Sequence, residues 1–182
     1  AISLEKLYPD SSVTVVEAES RVGQHQSGQN SGFLHSGIYY KPGSNKAVNC
    51  RSGKAAMEAF CNEHSIQWDR CGKVVVATSQ EELPRLDRIA QRAEANGVTY
   101  ERIDTQQLHE LEPSSAGIGA RHVPETGIVN FGTVCQKMSQ LLHSRGHSVR
   151  LDFEVARIST LDGSIELSGR DGSVIQCGRM IN

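Results

Sequence analysis

The chain has 182 residues, 37% hydrophobic, with a formal net charge of −2, enough for one sizeable domain or two small ones. A near-neutral chain without a basic run argues against nucleic acid as a partner. No window holds the ~20 apolar residues of a membrane span, and no charged-then-apolar signal segment opens the chain.

Ile2, Leu4, Leu7 and Tyr8 suit the last turns of a helix that Pro9 ends. A domain seldom begins midway along a helix, and Arg179-Met180-Ile181-Asn182 brings no terminating turn, so a fragment lacking sequence at both ends is expected. Val13-Thr14-Val15-Val16 is short and β-branched and reads as a buried parallel strand. Glu17 closes it. An acidic residue there accepts hydrogen bonds from a ribose hydroxyl in a dinucleotide-binding unit, or else is an ordinary surface carboxylate.

The stretch 21–42, RVGQHQSGQNSGFLHSGIYYKP, is dense in glycine, so backbone can approach a ligand and N–H groups can converge on an anion. Its plain alternative is a polar surface loop. Ser44 caps a helix to His64, with Ala47, Val48, Ala55, Met57, Ala59 and Phe60 on an apolar stripe and Gly53 marking a tight crossing. Residues 66–68 and 73–77 read as strands. Ser79-Gln80-Glu81-Glu82 reads as a capping box opening a helix to Asn96, with Leu83, Leu86, Ile89, Ala90 and Ala93 on one face and Gly97 as its stop.

Residues 99–103 form a strand. Asp104 or Thr105 caps a short helix with Leu108 and Leu111, and 117–123 and 126–129 return to strand. Phe131 to Arg145 is a helix lined by Val134, Met138, Leu141 and Leu142 and closed by Gly146. A strand at 148–151 precedes three more at 153–159, 165–168 and 174–177, joined by Asp162-Gly163 and Asp171-Gly172 turns. Five scattered cysteines without a CxxC pair suit free thiols in a reduced, cytoplasmic setting.

Two runs carry a family likeness: His25-Gln26-Ser27-Gly28-Gln29-Asn30-Ser31-Gly32 and His35-Ser36-Gly37-Ile38-Tyr39-Tyr40-Lys41-Pro42. They resemble the FAD-dependent L-2-hydroxyglutarate oxidases and dehydrogenases, among the D-amino-acid-oxidase-like FAD oxidoreductases. The likeness continues more weakly through Gly72-Lys73, Pro124-x-Thr126-Gly127-Ile128-Val129 and Phe153-Glu154-Val155. Asn130 departs from it, where relatives often carry an acidic residue.

The resemblance implies an α/β fold: a partial FAD-binding, Rossmann-like domain with a three-stranded β-meander (1–65 and 130–182) and an inserted antiparallel α+β substrate domain (66–129). The Gly-rich phosphate turn that should precede the first helix is absent, so this polypeptide is expected to bind FAD weakly or not at all. The resemblance also implies FAD contacts at Glu17, Ser27, Asn30, Ser31, Leu34 and the Val155 backbone. It implies a dicarboxylate substrate, with oxygen or a quinone as electron acceptor and peripheral contact with the inner membrane in the full-length protein.

Oxidising a 2-hydroxy acid requires removing the hydroxyl proton and binding carboxylates, while the flavin accepts hydride. His35 is the candidate base or direct flavin neighbour, since an imidazole exchanges protons near neutral pH; its alternative is a structural histidine. Tyr40 and Lys41 are candidate carboxylate ligands. Neighbouring aromatics on a strand face opposite sides, so only one of Tyr39 and Tyr40 would face the site. No histidine pair has metal-ligand spacing. The rival readings are a relative acting on another small acid, amino acid or glycerol phosphate, and a truncated fold fragment without cofactor or activity.

Overall fold

The computed structural model describes residues 2–161 and 163–182; Asp162, half of one expected turn, lies outside the described residues. In chain order the elements are α1 (Ile2–Leu7), β1 (Thr14–Val16), β2 (Phe33–Leu34), α2 (Asn45–Glu63), β3 (Trp68–Asp69) and β4 (Val74–Ala77). A 3-10 turn (Gln80–Glu82) leads into α3 (Leu83–Ala95), then β5 (Glu101–Ile103), α4 (Thr105–Leu111), β6 (Gly119–His122) and β7 (Gly127–Val129). The chain ends with α5 (Phe131–Ser144), β8 (Ser148–Arg150), β9 (Val155–Leu161), β10 (Ser164–Gly169) and β11 (Val174–Cys177).

These elements form two compact units. One joins the residues up to Gln29 with Phe131–Asn182; the other is Asn30–Asn130. The division falls at Gln29/Asn30, not at the expected 65/66, because β2 pairs with β7, Phe33 opposite Ile128, and so joins the strands that follow it.

In the first unit β1 and β8 run parallel, Thr14 opposite Ser148. The expected buried strand is only half-buried, with Thr14 exposed. Its ladder has one partner among the described residues, β8. The β9–β10–β11 meander is antiparallel, as its turn residues suggested. Asp171 Oδ1 accepts from Ser173 N and Oγ at 2.9 and 2.6 Å, and this side-chain-to-backbone bond shapes the turn into β11. Val134 and Leu142 are the buried face of α5, and Phe153 and Leu167 bury under the meander.

The second unit holds two antiparallel three-stranded sheets, β2–β7–β3 and β4–β6–β5. Leu86, Ala90 and Ala93 of α3 recur at helical spacing and are buried. Ala93 joins Ile38, Val98 and Val123 in a core cluster, with Ile89 and Tyr100 packed on it. Asp104 caps α4 in a reciprocal box with Gln107, satisfying two otherwise unpaired N–H groups.

Three local expectations are corrected. Ser79 makes no capping bond to the 3-10 turn; instead Thr78 N and Oγ1 donate to Glu82 Oε2 at 2.8 and 2.9 Å, one residue earlier. The apolar stripe of α2 is mostly outside: Ala47 and Cys61 are buried, together with Lys54, while Val48 is exposed. Gly53 meets nothing within 4 Å of an added Cβ, so no tight crossing requires it. Gly53→Ala should therefore stabilise the chain by about 0.5–1 kcal/mol through the lower backbone entropy of the unfolded state. A urea titration that shows no gain would contradict this.

Candidate functional site

In the first unit Glu17 sits where β1 ends. Its N–H donates to Arg150 O and its carbonyl accepts from Phe153 N, each at 2.9 Å, so strand pairing and the start of the meander both fix it. Its Oε1 accepts from Glu19 N at 3.1 Å, which turns the chain out of the strand. Glu19 then organises the loop: Oε2 accepts from Gln24 Nε2 at 2.8 Å and Oε1 meets His25 Nε2 at 2.7 Å. His25 O accepts from Gly28 N and Gln29 N. A Cβ on Gly28 would lie 1.9 Å from Gly23 O, so only glycine lets the loop close on itself. Sequence reasoning missed Glu19, whose role depends on a bond across six residues.

Ser27, Asn30 and Ser31 are exposed. Asn30 Oδ1 accepts from Gly32 N at 2.7 Å. Val155 opens β9 and is exposed. Leu34 differs from its expected place beside a ligand: its side chain is 4% exposed and belongs to the core of the second unit.

The second unit carries the candidate chemistry. His35 follows β2, with its ring stacked on Phe33 at 5.8 Å between centroids. Its carbonyl accepts from Cys50 Sγ at 3.2 Å, which ties the segment to α2. Partial desolvation, then the positive charge of Lys73, hold the imidazole pKa below its ordinary 6.5. Both effects favour the neutral ring, the form able to accept a proton.

Tyr39 and Tyr40 are not on a strand. Tyr40 N donates to Gly37 O, closing a turn. Arg92 and Asn96, from α3 and its end, donate to the carbonyls of Tyr39, Gly37 and Tyr40 and hold that turn. It is the Tyr39 ring, not that of Tyr40, that meets a cation: Lys73 Nζ lies 4.3 Å from its centroid. Lys41 is exposed, and its carbonyl accepts from Ser44 N and Oγ at the start of α2. The Tyr39–Lys73 contact was not foreseen from the sequence, although Gly72-Lys73 lies in a weaker continuation of the family likeness.

A cavity of about 220 Å³ in the same unit is lined by Arg51, Lys54, Ala55, Glu58, Arg70 and Glu125. Arg51 pairs with Glu125 at 2.7 Å, and Glu58 takes Lys54 at 2.6 Å and Arg70 at 3.4 Å. Among the described residues no group of three or more His, Cys, Asp or Glu could hold a metal ion. No described helix is long and apolar enough to cross a membrane.

The residues of the first unit fit a dinucleotide cofactor. A carboxylate closes a parallel strand, and a glycine-dependent loop too tight for a Cβ follows it. A parallel pair, an antiparallel meander and an antiparallel α+β unit together make a mixed α/β fold. Solved structures share it. The chain superposes on glycine oxidase from Geobacillus kaustophilus with a TM-score of 0.84 and 20% identity, over 97% of this chain and 50% of that one. It matches FAD-bound L-alpha-glycerophosphate oxidase from Mycoplasma pneumoniae with a TM-score of 0.77 and 20% identity, over 87% of this chain and 43% of that one.

Residues 1–182 match the family model for FAD dependent oxidoreductases (DAO), and the chain belongs to that family. It is 36% identical to L-2-hydroxyglutarate dehydrogenase of Escherichia coli K12 over 182 residues, all of this chain and 43% of that protein. It is 43% identical to mitochondrial L-2-hydroxyglutarate dehydrogenase of Mus musculus over 152 residues, 83% of this chain and 33% of that protein. The chain thus spans less than half the length of these relatives.

Proposed function

We propose that this chain serves the FAD-dependent oxidation of L-2-hydroxyglutarate to 2-oxoglutarate. The observation that carries the reading is its identity, over its whole length, to a dehydrogenase named for that substrate. Glu17 would hold the ribose hydroxyls. Ser27, Asn30 and Ser31 of the loop and the backbone at Val155 would hold other parts of the cofactor, while Leu34 has only its backbone to offer. Bound FAD supplies the acceptor for the hydride that leaves C2.

The remaining chemistry belongs to the chain. The C2 hydroxyl proton passes to the imidazole of His35, which the lowered pKa keeps neutral. The Phe33 stack limits the ring's freedom, and the Cys50 bond to the His35 carbonyl ties down the backbone that bears it. The substrate carboxylates meet the cations of the second unit.

The test is to supply FAD and L-2-hydroxyglutarate and measure 2-oxoglutarate beside a panel of amino acids and glycerol phosphate. Oxidation of panel members alone would sink the reading. The pH profile is a second check. A base must be unprotonated, so the rate should fall as pH drops through the His35 pKa, on a limb below 6.5. Lys73→Met removes a positive charge that lowers this pKa, so the limb should move to higher pH. The His35 ring signals in a proton NMR titration should move the same way; a limb unmoved by Lys73→Met would contradict the assignment.

A further inference from the structure

Lys73 is held by backbone on both sides. Its N–H donates to Val123 O at 3.2 Å and its carbonyl accepts from Val123 N at 2.8 Å. Gly72 before it has φ 71, a left-handed conformation natural to glycine, and its N–H donates to Thr126 O at 2.8 Å. A Cβ on Gly72 would sit 2.8 Å from His122 Nε2, so this turn is specific as well as tight. The turn bearing Tyr39 is fixed independently, through Arg92 and Asn96. Two rigid anchors thus bring the Lys73 ammonium over the Tyr39 ring at 4.3 Å.

The electrostatics of the neighbourhood are uneven. Arg51, Lys54 and Lys73 all act on the Cys50 thiol. Arg51 and Lys54 are each ion-paired, with Glu125 and Glu58. Lys73 has no carboxylate partner among the described residues. Burial pushes its pKa down, because withdrawal from water disfavours the charged form. A cation–π contact orients an ammonium without neutralising it, whereas a carboxylate both neutralises it and accepts its hydrogen bonds. Lys73 also acts on His35, so an anion held there lies in the field of the candidate base.

We propose that Lys73, backed by the Tyr39 ring, is a recognition site for a carboxylate of a small dicarboxylic acid. This deepens the reading of the protein as a 2-hydroxy-acid oxidoreductase and rests on it for the identity of the acid. Lys73 takes the place given to Lys41 on sequence grounds, and Tyr39 that given to Tyr40.

The experiment titrates glutarate, a redox-inert dicarboxylate, into the 182-residue chain and follows the Lys73 side-chain and Tyr39 ring signals by NMR. Saturable shifts at both are expected with glutarate and not with neutral glutaramide. Lys73→Met should weaken glutarate binding by about 10-fold or more, as loss of a charge-assisted hydrogen bond does, and Lys73→Arg should keep part of it. Lys73 and Tyr39 signals that stay still, that move equally with chloride at matched ionic strength, or an unchanged affinity in Lys73→Met would each overturn the assignment. Substrate kinetics separate this site from the reaction. L-2-hydroxyglutarate oxidation with an unchanged KM in Lys73→Met overturns the site and leaves the activity standing. Glutarate held at Lys73 without oxidation of the hydroxy acid supports the site and overturns only the reaction.

Discussion

Glu58→Ala is expected to destabilise the second unit by about 3–5 kcal/mol, the loss seen when one partner of a buried ion pair is removed. Lys54 and Glu58 lie one helical turn apart on α2, with side chains only 8% and 15% exposed and 2.6 Å between Nζ and Oε1. At the surface such a pair would contribute less than about 1 kcal/mol. Here the charges are withdrawn from water, and removing the carboxylate leaves the Lys54 ammonium buried without its partner. Arg70 loses its contact to Glu58 in the same change.

The pair itself need not be a net stabiliser, because desolvation offsets most of the attraction. Lys54→Met with Glu58→Leu should therefore recover most of the loss. The single tryptophan, Trp68, reports on this unit: it lies in β3, and its Nε1 donates to Asn62 Oδ1 on α2. Urea titrations followed by its fluorescence should show Glu58→Ala well below the parent and the double variant near it. A single variant within 1 kcal/mol of the parent, or a double variant as weak as the single, would refute this account of α2.

The same pair shows where local reading stops. The i,i+4 spacing of Lys54 and Glu58 is plain in the sequence, but Arg70 and Glu125, which complete the ion pairs and the cavity around it, come from further along the chain. The helices that periodicity located well are those with a continuous apolar face: Leu86, Ala90 and Ala93 of α3, Val134 and Leu142 of α5. The cap at Asp104, one of the two positions the sequence offered, was legible because its reciprocal partner, Gln107, lies three residues on. The Ser79 box failed because Thr78 offers the same carboxylate both a hydroxyl and an N–H.

The candidate site was half legible for a similar reason. His35 stands in the contiguous run His35–Pro42 that carries the family resemblance. Tyr39 and Tyr40 were read as strand neighbours, whereas Arg92 and Asn96, more than fifty residues away, bend them into a turn. The Tyr39 ring is the one that meets Lys73, a contact between residues more than thirty positions apart that the spacing of the two tyrosines does not encode.

Phe153→Ala should cost about 3–5 kcal/mol, the usual loss for truncating a fully buried phenylalanine. The side chain is 1% exposed. Its ring lies so close to the β10 backbone that a Cβ on Gly169 would come within 3.3 Å of Cε2, and the Arg150 guanidinium caps it at 4.9 Å. The chain around it cannot collapse to fill the space, because Phe153 N is bonded to Glu17 O and the next residue leads directly into the meander.

That bond connects stability to function. Glu17 is held by Arg150 on one side and Phe153 on the other, so loosening the ring releases the carboxylate proposed to meet the cofactor's ribose. Amide exchange should quicken at Glu17 and along β9–β11 while Ala90 and Ala93 in the second unit keep their protection. Phe153→Leu, which retains most of the apolar volume, should lose less on both measures. Equal exchange in Phe153→Ala and the parent at Glu17 would show that strand pairing with β8 alone fixes that residue. The meander would then be a neighbour of the site, not its support.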